Sequence, residues 1–207
     1  VAIKQTATVA EIKVPNLLLA NAIEDLENYL AIESAKYLAE QLDYKVLAGD
    51  GDYFMSILSK AGGDEYEALD YALLMEIQGA MKTGYAKNAI WVMNRKTYFS
   101  KIRTMTDTAG NLIAGQVPLA NGNARAVQYL IDGIPCELDD NLADGAILFG
   151  NFDYYKANVS KNITINVNTS IYENVDMTAW YAKVYAGGQI LFPSEAFLYY
   201  TEKVTAP

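Results

Sequence analysis

Apolar and charged residues alternate from Ala10 to Val14, with Ala10, Ile12 and Val14 set against Glu11 and Lys13, the period of two that gives a strand one wet face. Pro15 ends that strand. Asn21 and Glu24 have the spacing of a variant capping box, and Ile23, Leu26, Leu30, Leu38, Leu42 and Val46 then recur near helical spacing until Gly49 supplies a stop. The pattern predicts one long helix, on the order of 40 Å at about 1.5 Å per residue. Glu24, Asp25, Glu27, Glu33, Lys36, Glu40 and Lys45 fill its other face, so the helix is amphipathic and can support a sheet along its length.

After a glycine-punctuated connection from Gly49 to Gly63, Asp64 is placed to open a second helix. Its apolar stripe runs through Ala68, Leu69, Ala72, Leu73, Ile77, Ala80 and Met81, and Gly84 closes it. Ala89 to Asn94 has the short apolar profile of a buried strand, and Lys96 to Met105 reads as a third helix. Thr106 to Arg125 is a long excursion with little periodicity; loops of that length are uncommon without a task, which places it at a contact surface. The remainder is strand-rich. VQYLI and IPCEL flank Asp132-Gly133, a strong hairpin signal, and are followed by AILFG, ITINVNT, AWYAKVY and AFLYYTEKV. Helices early and strands late predict an α+β chain, without the βαβ alternation or glycine signature of a dinucleotide-binding domain.

The chain has 207 residues and is 52% hydrophobic, with a mean hydropathy of +0.02, enough for one sizeable core or two small ones. Sixteen tyrosines suit half-buried sheets and wet interfaces. Against 25 acidic residues stand 16 basic ones, a formal net charge of -9, so no global positive field exists to hold a phosphate backbone. No apolar run reaches the ~18 residues that cross a bilayer, and the opening VAIKQTATVAEIKVP lacks the layout of a signal peptide. A soluble protein of a cytoplasm is expected. The opening at Val1, in what reads as mid-strand, leads us to expect a fragment of a longer product.

Histidine is absent, which removes Ser-His-Asp and Cys-His pairings and most zinc sites. Cys136 is the only cysteine; without an activating histidine it reads as a packed thiol rather than a nucleophile. Asp50 and Asp52 around Gly51 look like the start of a calcium loop, but position 61 is Ala61 where that loop needs glutamate, so a plain turn is expected. Glu137, Asp139, Asp140 and Asp144 could supply paired carboxylates for hydrolysis, although a solvated hairpin end accounts for them more simply. Arg95, Lys96, Lys101 and Arg103 form a small basic group suited at most to weak contact with DNA.

Several segments, in order, resemble the major capsid proteins of tailed bacteriophages with the Hong Kong 97 type fold. KQTATV and the strand after it, followed by AIEDLENYLAIESAKYLAEQLDYKVLAGDG, resemble that family's strand and long spine helix with its closing glycine-aspartate-glycine turn at Gly49, Asp50 and Gly51. NAIWVMNRKTYFSKIRTMTDTAGNLIAG resembles its strand, helix and loop, carried by Asp107 and Gly110. IDGIPCELDDNLADGAILFGNF is similar to its hairpin and glycine-ended strand, at Gly133, Pro135 and Gly150. AWYAKVYAGGQILFPSEAF resembles its closing strand pair, ending at Glu195, Ala196 and Phe197. The strength lies in order and spacing across nearly the whole chain.

The resemblance implies a peripheral domain, residues 1–49 and 151–184, in which the spine helix packs on an elongated sheet. A mixed α/β axial domain, 50–150 and 185–207, completes it, with Thr106 to Arg125 as the loop that meets symmetry axes. The implied function is that of a structural subunit of a virus or prophage icosahedral capsid, assembling into pentamers and hexamers that enclose DNA, with no enzymatic activity, cofactor or metal. Its implied partners are copies of itself, portal or scaffolding proteins and, weakly and nonspecifically, packaged DNA, with no membrane. Its places are the virion and, during assembly, the host bacterial cytoplasm. Glu24, Asp25, Asp107, Gly110, Asn111 and Gln116 are the expected assembly contacts. The alternatives are an encapsulin-type nanocompartment shell and, from another class, a carboxylate-dependent hydrolase.

The sequence departs from the family in three places. The N-terminal arm and most of an extended loop should precede Val1, and Asp52, Tyr53, Phe54 and Met55 replace a proline-glycine turn that many relatives carry after Gly51. The region matching an isopeptide acceptor reads Asn174, Val175, Asp176, Met177 without a convincing match, so crosslinking is not expected.

Overall fold

The structure is a computed structural model that describes residues 3–21, 26–118 and 127–203. Along the first half run strand β1 (Thr6–Pro15), helices α1 (Asn16–Asn21), α2 (Leu26–Ala48) and α3 (Ile57–Lys60), strand β2 (Glu65–Tyr66), helices α4 (Tyr71–Ala80) and α5 (Thr83–Ala86), strand β3 (Ile90–Met93) and helix α6 (Arg95–Thr97). The second half holds strands β4 (Ala114–Pro118), β5 (Val127–Ile131), β6 (Ile134–Leu138), β7 (Ile147–Gly150), β8 (Tyr155–Val159), β9 (Thr164–Asn168) and β10 (Met177–Ile190), helix α7 (Pro193–Ala196) and strand β11 (Phe197–Glu202). The fold is α+β, and the chain divides into two units, Val1–Ser56 with Lys156–Gln189 and Ile57–Tyr155 with Ile190–Pro207.

In the first unit β1 outgrows the alternation that announced it. It pairs antiparallel with β10 from Thr6 opposite Ala186 to Pro15 opposite Met177, and Pro15 can close the strand because its missing N–H costs nothing at an end. α2 covers one face of that sheet. Leu30, Ser34 and Leu38 are buried at four-residue intervals, and Leu38, with Leu42 beside it, packs on Ala10, Ala182 and Val184. The expected capping box falls partly on residues 22–25, so Ile23, Glu24 and Asp25 lie outside the described residues. β8 and β9 both pair with the other edge of β10; β8 has no counterpart in the sequence expectation. The Asp50 carboxylate accepts the backbone N–H of Tyr53 and of Phe54 and so serves a turn.

The second unit is built on a seven-stranded sheet in the order β2-β11-β7-β3-β6-β5-β4. β3 pairs parallel with β6 and antiparallel with β7, and β3 and β7 are wholly apolar because both their faces are covered. Trp91 and Phe149 meet at 4.4 Å between ring centroids, in a core that Leu74 and Ile77 of α4 join.

Four expectations need correction here. Asp64 does not open a helix: Glu65–Tyr66 pairs parallel with Thr201 and Glu202, and α4 begins after Asp70, whose Oδ1 accepts Leu73 N–H at 2.8 Å. Gly84 sits inside α5, since α4 ends at Ala80 and Met81 is already extended. The segment after Thr106 is not without structure, because β4 pairs with β5 from Ala114 opposite Ile131 to Pro118 opposite Val127. β10 and β11 are not a strand pair; they lie in different sheets. The third helix forms as α6 and continues as a π-helical turn, Tyr98–Ile102, that buries Tyr98 and Ile102. The Asp132-Gly133 hairpin forms as expected, with φ of +49° and +78° at its two turn residues.

Candidate functional site

Three of the expected assembly contacts, Asp107, Gly110 and Asn111, close one turn. Asp107 Oδ1 accepts the N–H groups of Ala109 and Asn111, each at 2.8 Å, and its Oδ2 accepts the Asn111 side-chain amide at 3.0 Å. Asp107 N–H donates to Asn111 O at 2.8 Å and Gly110 N–H to Asp107 O at 3.1 Å. Gly110 has φ of +86°, a left-handed conformation that glycine adopts without a Cβ penalty. The Asn111 side chain, foremost among these donors, holds the Asp107 carboxyl below its ordinary value. A bridge between Thr106 and Leu112 seals the base of the turn, leaving Leu112 66% exposed.

Gln116 lies apart from that turn, exposed in β4 opposite Tyr129. Glu24 and Asp25 lie outside the described residues. Beside the turn, Leu69, Asp70, Met75, Lys101 and Met105 help line a groove of about 670 Å³.

The basic group is partly neutralised. Lys96 pairs with Asp144, and Lys101 pairs with Glu202 at 2.5 Å. The Arg95 guanidinium lies 4.9 Å from the centre of the Phe99 ring. Of the hairpin carboxylates, Asp144 is thus engaged, and Asp139 accepts the N–H of Asn141. No group of three or more His, Cys, Asp or Glu that could hold a metal occurs among the described residues. Burial, and then the charge of Glu137, push the Cys136 thiol up to about 12, so at neutral pH it is a protonated, packed side chain. No helix among the described residues is long and apolar enough to cross a membrane.

Sequence reasoning missed two features of the first unit. Glu11 Oε1 accepts the hydroxyls of Tyr172 and Tyr181 at 2.8 and 3.0 Å, which ties the segment before β10 to β1; no local pattern announces a contact between residues so far apart. The second is an apolar face on β9. Its alternation was legible, but which face would be left uncovered was not.

The Phage capsid family model matches residues 2–201. No curated protein matches the chain. Among solved structures, the capsid of an empty GTA particle is similar with TM-score 0.73 at 21% identity, over 98% of this chain and 74% of that one. Gordonia phage Cozz gives TM-score 0.69 at 16% identity, over 97% and 71%. The SrpI encapsulin of Synechococcus elongatus PCC 7942 gives 0.68 at 13% identity, over 98% and 75%. At such identities the likeness is one of fold.

Proposed function

The chain belongs to the phage capsid family and is a structural capsid subunit, and from that premise we propose that it closes with copies of itself into the pentamers and hexamers of an icosahedral shell enclosing DNA. Its fold is of the Hong Kong 97 type. One observation carries the reading: a helix of 23 residues is seated on a sheet whose outer strands, among the described residues, pair on one side only, in the same chain as a unit built on a seven-stranded mixed sheet. A subunit that tiles needs a stiff element and unpartnered surfaces, because head-to-tail contacts close a ring only when each copy presents two different faces.

In this reading the first unit is the peripheral domain and the second the axial one. The Asp107 turn and β4 then meet neighbouring copies around fivefold and sixfold axes, through Asp107, Gly110, Asn111 and Gln116. Portal and scaffolding proteins are further partners. Contact with packaged DNA stays weak and nonspecific, since Lys96 and Lys101 already have acidic partners and the chain carries a net charge of -9. The subunit is a component of the virion, assembled in the bacterial cytoplasm, and works by shape rather than by catalysis.

The test is to express the full-length protein and follow it by light scattering and electron microscopy over a concentration series. Capsomers or closed shells are expected. A protein that stays monomeric at the highest concentration overturns the reading. The encapsulin likeness gives a second reading on the same fold, which the contents of the shells decide: nuclease-protected DNA for a capsid, a co-purifying enzyme for a nanocompartment.

A further inference from the structure

The sheet of the first unit is covered unevenly. α2 packs along β1, on the face that carries Ala10, Ala182 and Val184. Register sets Ile165 of β9 opposite Ala182 and Val167 opposite Trp180, and side chains of paired residues project to the same side of a sheet. Ile165 and Val167 therefore share the face that α2 occupies, and Ile163, two positions earlier, follows by alternation. Yet Ile163, Ile165 and Val167 are 47%, 41% and 50% exposed. Thr164 and Asn166 take the other side.

The edge of β9 is open as well. Among the described strands it pairs only with β10, so one side of the strand offers its N–H and C=O groups to a further strand. Such edges are ordinarily guarded by lysine, proline or a bulge. β9 contains no charged residue and no proline, and no charge occurs from Asn162 to Tyr172.

We infer that this apolar face and free edge of β9 form an interface of the shell, covered by a second copy of the chain. The inference rests on the capsid reading and names the surface used. The charge distribution selects the occupant. Copies of a chain with net charge -9 repel one another, and the repulsion and desolvation cost are least where the touching segment has no charge of its own. β9 itself carries no cation for a polyanion; the nearest are Lys161, before the strand, and Lys183, whose register partner Thr164 lies on the side away from the apolar row. A strand or apolar face of a second copy meets both the aliphatic row and the unpaired backbone, as in strand addition to a sheet edge.

The experiment uses the full-length protein, with the lowest concentration at which shells form read by light scattering and confirmed by electron microscopy. Ile165→Lys puts a charge into the row and Asn166→Lys puts the same charge on the polar side of the strand; circular dichroism and thermal melting check that each variant is folded. Ile165→Lys is expected to raise the threshold at least about tenfold, roughly 1.4 kcal/mol, and Asn166→Lys to leave it within about twofold. Val167→Thr, close to isosteric, removes apolar contact without adding charge and decides the matter if Ile165→Lys does not fold; its threshold should also rise. Wild-type thresholds for folded Ile165→Lys and for Val167→Thr overturn the interface while leaving the capsid reading intact. Failure of the wild-type protein itself to assemble overturns both.

Discussion

Asp107 accepts three hydrogen bonds within its own turn, and donors aimed at a carboxylate stabilise the charged form over the acid. Its pKa is lowered from 3.8, with the Asn111 side chain as the largest cause. For a depressed carboxyl the stabilisation is present above the unfolded pKa and is lost as pH falls through the folded one. The turn should therefore hold from neutrality down past pH 3.8 and open only in stronger acid. Backbone amide signals of Ala109 and Asn111, followed by NMR against pH, should titrate with a midpoint below 3.8; a midpoint at or above it would contradict the bonding described. Cys136 answers to burial instead. It is 1% exposed with its thiol pushed up to about 12, so the folded protein should resist iodoacetamide at pH 8 and react promptly once unfolded in guanidinium; equal rates in the two states would mean that the thiol is accessible. Leu38, 2% exposed in the contact between α2 and the sheet, has no route to water when cut back. Leu38→Ala should lower stability by about 2–5 kcal/mol, measured by chemical denaturation.

Elements were legible in the sequence where their cause is local. The hairpin of β5 and β6 was readable because Asp132 and Gly133 supply left-handed conformations next to each other, whereas the Asp107 turn entered only through the family resemblance. α4 was misplaced because its neighbour is decided from afar: Glu65–Tyr66 is a strand only by pairing with β11, and propensity at Asp64 carries no trace of that partner. β4 was taken for loop for the same reason, since it is β5 that gives Gln116 its place. The two aspartates yield a direct comparison. Asp70→Ala should cost about 1 kcal/mol through loss of the bond to Leu73 N–H, whereas Asp64→Ala should leave α4 untouched. Equal losses of helix by amide exchange in the two variants would restore the earlier start. At the level of the candidate site, the open face of β9 was not readable, because alternation tells which residues share a side and not what will lie over it.

For the whole molecule the governing quantity is the net charge of -9 with a sequence pI near 4.5. Subunits that must meet repeatedly in a shell carry that excess into every contact, and self-repulsion is long-ranged in dilute salt, where the screening length is about 30 Å at 0.01 M, but about 3 Å at 1 M. The uncharged run from Asn162 to Tyr172 and the apolar row within it gain nothing from an ionic field, so screening removes the opposing term and leaves the attractive one in place, slightly strengthened if the salt is sulfate. The threshold concentration for assembly should accordingly fall as sodium chloride is raised from about 0.01 to about 0.5 M, and fall again as pH is brought down from neutrality towards the pI. Interfaces held mainly by pairs such as an acidic helix face against basic neighbours would behave in the opposite sense, because salt weakens them. A salt series read by light scattering thus distinguishes apolar tiling from ionic tiling, and a threshold that rises with salt would assign the contacts to charge.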